Sequence, residues 1–184
     1  MADEQMPWRF TQAPQMNPLD RDYLIKTIYG EASGEPALGQ AGVAHAILNR
    51  LHAGGYGDTV KAIVTAPAAG VNPKYGYHEF SPWNPPGVPE SNMRAQNLPS
   101  NDPNYIKIGD IVDQVYNGEI PDPTGGATHY YGIMPRPPSW APPLAAQNMV
   151  KIGNQTFVGG SSGPGQTLPS QVTGGLYDVG QASG

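Results

Sequence analysis

The segment from Pro36 to Leu51 constrains the fold more than any other part of the chain, because it carries an unbroken apolar stripe at helical spacing. Pro36 stands where the first helical position is expected, and Gly54 follows where the helix should end. Alanines and Gly42 leave this helix little side-chain bulk, which predicts that another element approaches its backbone closely. The stripe consists of Leu38, Ala41, Ala44, Ile47, Leu48 and Leu51.

Two shorter helices are predicted on either side of this one. Apolar residues recur at helical spacing after Asp20, so we predict a helix that Asp20 caps and that runs to about Gly30. Asp58 is placed to cap a short helix, which Pro67 would stop.

The second half of the chain carries one more strong helix signal. Asp102 is predicted to cap a helix that ends where Gly118 supplies the left-handed residue. Residues 127–131 and 149–158 are short apolar segments that we predict to be strands or extended chain.

Glycine and proline limit how much regular structure this chain can form. The sequence has 24 glycines and 21 prolines, together 45 of 184 residues, so much of it must be loop. Residues 67–100 form a long loop rich in aromatic side chains. We predict an N-terminal arm (1–19), a single α+β, mainly α domain (20–158) and a Gly/Ser-rich tail of flexible composition (159–184).

Composition excludes several classes of function. The chain has no cysteine, which removes disulfides, thiolate nucleophiles and cysteine-based zinc sites. Its net charge of −5 predicts no basic face for nucleic acid or an anionic membrane, and no apolar run approaches the length of a membrane span. The first ten residues lack a basic segment followed by an apolar one, so we expect no signal peptide and synthesis in the cytoplasm.

Two glutamates, Glu31 and Glu35, lie at the predicted junction between the first two helices. Gly30 precedes Glu31, so the backbone can bend there and a substrate can come close. Apolar walls around Glu31 would raise its pKa and make it a general acid. Glu35 precedes Pro36 and has three open interpretations: a cap of the second helix, a second carboxylate, or a substrate contact.

The order of several segments identifies a family resemblance. Residues 28–36, which read Ile-Tyr-Gly-Glu-Ala-Ser-Gly-Glu-Pro, are followed by Gly-Gln-Ala-Gly-Val-Ala at 39–44 and Ile-Leu-Asn-Arg at 47–50. Together these segments closely resemble the SleB-type cell wall hydrolases, the spore cortex-lytic enzyme family. The similarity covers about residues 22–158. The later segments that continue in the family's order are Asp58-Thr59-Val60, Phe80-Ser81 with Trp83, Ala127 to Tyr131, Trp140, and Lys151 to Asn154 with Phe157.

The resemblance implies a lysozyme-like fold, no cofactor, and cleavage of the β-1,4 bond between N-acetylmuramic acid and N-acetylglucosamine in peptidoglycan. The family's catalytic glutamate maps onto Glu31. Its usual reaction is lytic transglycosylation, in which one carboxyl group protonates the leaving oxygen and then helps the muramoyl 6-hydroxyl attack C1. Such a route needs a single carboxylate, unlike hydrolysis by a carboxylate pair.

Aromatic and polar side chains are predicted to line the glycan groove, since flat rings stack on sugar faces and polar tips bind hydroxyl groups. Ordinary packing of the Pro-rich loop is the alternative for each of them. The histidines show no ligand spacing, so we expect no metal site. The candidate groove residues are Phe80, Ser81, Trp83, His129, Tyr130, Tyr131 and Trp140.

Asn49 and Arg50, near the end of the second long helix, also match the family. We interpret Asn49 as a polar anchor, and Arg50 as a charge that the C-terminal end of a helix stabilises.

The sequence leads us to consider two biological roles for the protein. We expect a phage endolysin or a lysin carried in a virion tail, acting on the cell wall after phage-mediated delivery. The alternative is a structural tail or baseplate component that binds or plugs glycan, with residues 1–19 and 159–184 as contacts to tail proteins.

Overall fold

A computed structural model describes residues 15–160, and in this range helices and a small sheet form an α+β, mainly α fold. This agrees with the predicted fold class. The predicted arm and tail lie largely outside the described residues. The helices are α1 (Pro18–Ala32), α2 (Ala37–Ala53), α3 (Val60–Val64), α4 (Met93–Gln96), α5 (Pro103–Tyr116) and α6 (Ala141–Ala145), and the strands are β1 (His129–Tyr131), β2 (Met149–Ile152) and β3 (Gln155–Val158).

Helix α1 is longer at both ends than the sequence indicated. The predicted cap at Asp20 is wrong: the side chain of Asn17 accepts a hydrogen bond from Leu19 N, and the helix begins at Pro18. Asp20 instead accepts from Lys61 N, and so joins α1 to α3. Because α1 continues to Ala32, the last turn of this helix carries Glu31.

Helix α2 confirms the strongest prediction from the sequence. It begins one residue after Pro36 and ends at Ala53, and the next residue, Gly54, has a φ of 73°. The helix packs against α1, α3, α5 and the sheet, so it lies at the centre of the fold. The close approach predicted at Gly42 is made by the ring of Phe157 from β3.

The N-terminal ends of α3 and α5 test two further predicted capping residues. Thr59, rather than the predicted Asp58, caps α3 by accepting from Ala62 N. At α5 the prediction is confirmed, because Asp102 accepts from Asn104 N. Gly118, with a φ of 75°, takes the left-handed conformation expected after α5.

The sheet has the strand order β1-β3-β2, and both pairs are antiparallel. Both segments predicted as extended therefore contain strands. Phe157 is central in β3 and fully buried, with Tyr130 opposite it on β1 and Val150 opposite it on β2. The sheet thus holds β1 at a fixed distance from α2.

The long loop between α3 and α5 contains two 3-10 helices, Pro73–Tyr75 and Ser81–Trp83, as well as α4. Gln96 on α4 donates from Nε2 to Pro82 O and Asn84 O, which fixes the loop segment around Ser81. None of the helices in the described range is long and apolar enough to cross a membrane.

Replacing Gly42 by Ala is expected to lower the free energy of unfolding. A Cβ at this position would lie 2.7 Å from Cζ of the buried Phe157. We expect overpacking to lower the free energy of unfolding by about 1–3 kcal/mol. This outweighs the gain of about 1 kcal/mol that alanine brings through its higher helix propensity. Urea denaturation measures the change. Gly34→Ala is the control, since nothing lies within 4 Å of a Cβ there, and equal stability of the two variants would contradict the prediction.

Candidate active site

A pocket of about 510 Å³ opens where the end of α1, the end of α2, the long loop and β1 meet. It combines carboxylate, guanidinium, imidazole and phenol groups with apolar walls, as ligand sites commonly do. The residues that line it are Glu31, Arg50, Ala68, Ala69, Gly70, Glu79, Phe80, His129, Tyr130 and Trp140.

Glu31 contributes its carboxyl group from the last turn of α1. Ser81 Oγ donates to Oε1 at 3.4 Å, and Tyr130 OH donates to Oε2 at 3.3 Å. Burial raises the pKa of Glu31, and these two donors oppose the shift without cancelling it. The nearby charge of Glu90 raises this pKa further. The result is a carboxyl group that retains its proton to higher pH than an exposed glutamate.

Gly30 explains why the long loop comes so close to Glu31. A Cβ at this position would collide with the ring of Pro82, so only glycine allows the loop to pack directly on α1. The neighbouring Ser81 is thereby held beside the Glu31 carboxyl group.

Strand β1 supplies the opposite wall of the pocket. The ring of Tyr130 packs against Phe80 and Phe157, with centroid distances of 6.3 and 5.6 Å. Burial and the charge of Glu31 raise the pKa of Tyr130 well above its usual value, so its hydroxyl remains a donor. The ring of His129 lies 5.6 Å from that of Trp140 and 6.0 Å from that of Tyr56. Burial and the charge of Arg50 lower the pKa of His129, which keeps its imidazole neutral at pH 7.

The structure brings most of the predicted groove residues together. Glu31, Phe80, His129, Tyr130 and Trp140 all line the pocket, and Ser81 reaches it through Glu31.

Tyr131 lies to one side of this pocket. Its ring meets that of Trp140 edge to face at 6.0 Å, and it lines a neighbouring groove of about 250 Å³. Trp140 therefore lines the pocket and contacts Tyr131 of the neighbouring groove.

Two candidate residues lie elsewhere. Glu35 is not in the pocket wall, and it provides no side-chain cap for α2; its Oε2 accepts from Asn154 N at 2.9 Å in the turn between β2 and β3. Trp83 stacks on Tyr23 at 4.5 Å and donates from Nε1 to Thr27 Oγ1. The contacts of Trp83 are those of ordinary packing, which was its alternative interpretation, whereas Glu35 is held by a hydrogen bond to the turn between β2 and β3.

Sequence reasoning missed two charged residues of the pocket, Arg50 and Glu79. Arg50 was interpreted as a charge at a helix end, yet it is only 5% exposed and its Nη1 donates to Glu79 Oε1 at 3.1 Å. The signal that pointed to Arg50 was its place in the family motif; Glu79 carried no signal beyond its position beside Phe80.

Asn49 is a polar anchor, as predicted. Its Nδ2 donates to Asp122 Oδ2 at 2.9 Å and to Ala127 O at 3.0 Å. Burial tends to raise the pKa of Asp122, but hydrogen bonds from Thr124 and Asn49 outweigh it and lower the pKa. The ionised Asp122 therefore fixes the chain that leads into β1.

Within residues 15–160, no group of three or more acidic, histidine or cysteine side chains lies close enough together to hold a metal ion.

Comparison with known proteins gives consistent matches. The family model described as Cell Wall Hydrolase matches residues 34–158, beginning just after Glu31. A spore cortex-lytic enzyme of Halalkalibacterium halodurans is 31% identical over 138 residues, which are 75% of this chain and 34% of that protein. One from Oceanobacillus iheyensis is 44% identical over 50 residues, 27% of this chain and 18% of that protein. The chain thus spans about a third or less of these curated relatives.

Two solved structures share the fold. The catalytic domain of the germination-specific lytic transglycosylase SleB from Bacillus anthracis has a TM-score of 0.55 and 25% identity, covering 79% of this chain and 99% of that one. The catalytic domain of Bacillus cereus SleB has a TM-score of 0.51 and 24% identity, covering 80% and 96%. These matches confirm the resemblance and the lysozyme-like fold that the sequence motifs indicated.

The pH dependence of stability should reveal the raised pKa of Glu31. Between the unfolded and folded pKa values the folded state binds the proton more tightly, so wild-type stability falls as pH rises through this window. We expect the free energy of unfolding of Glu31→Gln, relative to that of wild type, to increase as pH rises. This increase begins near the pKa of glutamate in the unfolded chain, about 4.3, and is complete above the pKa of Glu31 in the folded protein.

Urea denaturation of both proteins from pH 4 to pH 8 measures this difference. Glu119→Gln, which replaces an exposed carboxylate, is the control and should show no such trend. A difference between Glu31→Gln and wild type that is constant across this range would contradict the raised pKa.

Proposed function

Because the chain belongs to the cell wall hydrolase family, we propose that it is a peptidoglycan lytic transglycosylase that cleaves the β-1,4 bond between N-acetylmuramic acid and N-acetylglucosamine. The observation that carries this proposal is the position of Glu31 inside the pocket, with a raised pKa and two hydroxyl donors on its carboxyl group. The Bacillus anthracis relative is itself a lytic transglycosylase, which supports the same class of reaction here.

Glu31 acts first as general acid and then as general base. Its proton passes to the glycosidic oxygen as the bond to C1 of the muramoyl residue breaks. The resulting carboxylate then accepts the proton of the muramoyl 6-hydroxyl while that oxygen bonds to C1. The products are a 1,6-anhydromuramoyl end and a free 4-hydroxyl on N-acetylglucosamine, and Glu31 has its proton back. Ser81 and Tyr130 stabilise the carboxylate between the two steps.

The other carboxylates near Glu31 favour transglycosylation over hydrolysis by a carboxylate pair. Glu79 lines the same pocket, but its Oε1 accepts a hydrogen bond from Arg50 Nη1, so this carboxylate is already engaged in an ion pair. Glu35 was open as a second carboxylate in the sequence, and its hydrogen bond to Asn154 N lies away from the pocket. One carboxyl group with reversible protonation suffices for the proposed route.

The decisive test uses isolated peptidoglycan sacculi, with mass spectrometry of the released muropeptides. We expect anhydro-muropeptides from the wild type, and a rate at least ~100-fold lower from Glu31→Gln because the proton donor is lost. Glu119→Gln, an exposed carboxylate outside the pocket, should match the wild type. Unchanged release by Glu31→Gln would rule out its proposed role, and reducing ends in place of anhydro ends would indicate hydrolysis.

Removing the hydroxyl of Tyr130 should move the pH profile of the reaction. The hydrogen bond from Tyr130 favours the ionised form of Glu31, so Tyr130→Phe raises the pKa of Glu31 further. Since the first step needs protonated Glu31, the alkaline limb of kcat/KM against pH should shift to higher pH. Ser81→Ala should shift it in the same direction, whereas a shift to lower pH in either variant would contradict the assignment.

The biological setting is a separate part of the proposal. The setting we propose is delivery by a phage, as an endolysin or a virion-borne lysin, whereas the relatives named above are spore cortex-lytic enzymes. Detection of the chain in purified virions would support the virion setting. A wild-type protein that binds sacculi but releases nothing would instead support the alternative of a structural, glycan-binding tail component.

A further inference from the structure

Arg50 lies in the pocket wall with part of its hydrogen-bonding capacity unused. Its Nε donates to Thr128 O at 2.6 Å and its Nη1 to Glu79 Oε1 at 3.1 Å. Its Nη2 donates to no atom of residues 15–160, although the side chain is only 7% exposed. A buried guanidinium with a free donor at a pocket surface is arranged to bind an acceptor atom of a ligand.

The position of this donor is fixed before any ligand arrives. The Arg50 guanidinium carbon lies 5.1 Å from the ring centroid of Phe80 and 5.3 Å from that of Tyr56. Two rings and two hydrogen bonds therefore restrain a side chain that is normally flexible. A preorganised donor loses little entropy on binding, so it contributes to affinity and to selection between ligands.

Glu79 places an acceptor beside that donor. While Oε1 is held by Arg50, Oε2 receives a long hydrogen bond of 3.4 Å from Ala69 N. The Glu79 side chain remains 26% exposed and lines the pocket. The pair thus offers one donor and one acceptor on the same wall.

The charges of the pocket select against an anionic ligand. Arg50 is balanced by Glu79, Glu31 adds a second carboxyl group, and the lowered pKa of His129 keeps its ring neutral. A neutral group with one carbonyl and one N–H matches this pair, and that group is a secondary amide. Ala68, Ala69 and Phe80 provide an apolar wall for a small methyl group next to it.

We infer that Arg50 and Glu79 form a subsite for the acetamido group of the substrate's N-acetyl sugar. Arg50 Nη2 donates to the acetamido carbonyl oxygen, and Glu79 Oε2 accepts the amide N–H. This inference rests on the proposed function for its substrate, and it assigns to the pocket a requirement for N-acetylation of the glycan that is independent of the chemistry at Glu31.

The test measures binding, so that it remains informative whether or not the protein cleaves glycan. Isothermal titration calorimetry on Glu31→Gln protein compares chitotetraose with its fully N-deacetylated counterpart. The free amines of the second oligomer are cationic, and one of them would lie beside the Arg50 guanidinium, so the substitutions at Glu79 and Arg50 described next assign the difference in affinity to the acetamido contacts. We expect the acetylated oligomer to bind at least ~10-fold more tightly, because loss of the acetyl groups leaves buried polar groups unpaired.

Two further substitutions in this background separate the subsite from the rest of the pocket. Glu79→Gln places an amide N–H donor opposite the acetamido N–H, so the hydrogen bond is lost. Arg50→Lys replaces the guanidinium, whose position is fixed, by a flexible ammonium group. Each is expected to lower affinity for the acetylated oligomer at least ~10-fold and to bring the ratio of the two affinities close to one. The controls, Glu119→Gln and Arg136→Lys, replace exposed charges and should change neither value.

Two results would overturn the inference. The first is that adding Glu79→Gln, in a protein shown to be folded by circular dichroism, retains the affinity ratio of the Glu31→Gln parent or lowers the affinity for both oligomers by the same factor. The second is that the parent protein binds both oligomers equally or binds neither. Release of anhydro-muropeptides from sacculi by the wild type is scored separately, so failure of the proposed function and failure of this subsite are distinguishable.

Discussion

The contact between Gly42 of α2 and the ring of Phe157 is the constraint on which the rest of the structure depends. It brings β3 against the backbone of the central helix, and β3 in turn carries β1 as its antiparallel neighbour. The register places Tyr130 opposite Phe157, and from there the Tyr130 hydroxyl reaches Glu31. A side chain at position 42 would push the strand outward and separate the donor from the carboxyl group. Packing in the core therefore sets a distance in the candidate active site.

Balance between two opposing effects gives Glu31 its chemistry. Burial favours the protonated form, which can donate to a leaving oxygen, while the hydroxyls of Ser81 and Tyr130 favour the ionised form. With burial alone the group would be a poor base, and with stronger donors it would be a poor acid. Both hydrogen bonds are long, at 3.4 and 3.3 Å, and they oppose the effect of burial on the pKa without cancelling it. A reaction that returns the proton to its donor needs this kind of intermediate environment.

Local signals in the sequence predicted local structure well and tertiary contacts less well. The periodicity of α2 and the cap at Asp102 depend on neighbours within a few residues, and both appear in the structure. Asp20 has the right chemistry for a cap, but its partner is Lys61 N, 41 residues away, and no local pattern encodes that choice. The same limit applies to the site. Trp83 and Trp140 are equally plausible sugar platforms in the sequence, and only the stacking of Trp83 on Tyr23 distinguishes them.

The ion pair between Arg50 and Glu79 has a consequence for how the protein acquires its pocket. Together with the bond from Arg50 to Thr128 O, it ties segments that are 29 and 78 residues apart, and the two contacts of Glu31 span 50 and 99 residues. Contacts of such separation form late, because the intervening loops must be ordered first. A partly folded chain can contain α1 and α2 and still lack the pocket, because the pocket is complete only when β3 has packed on α2 and carries β1 into place.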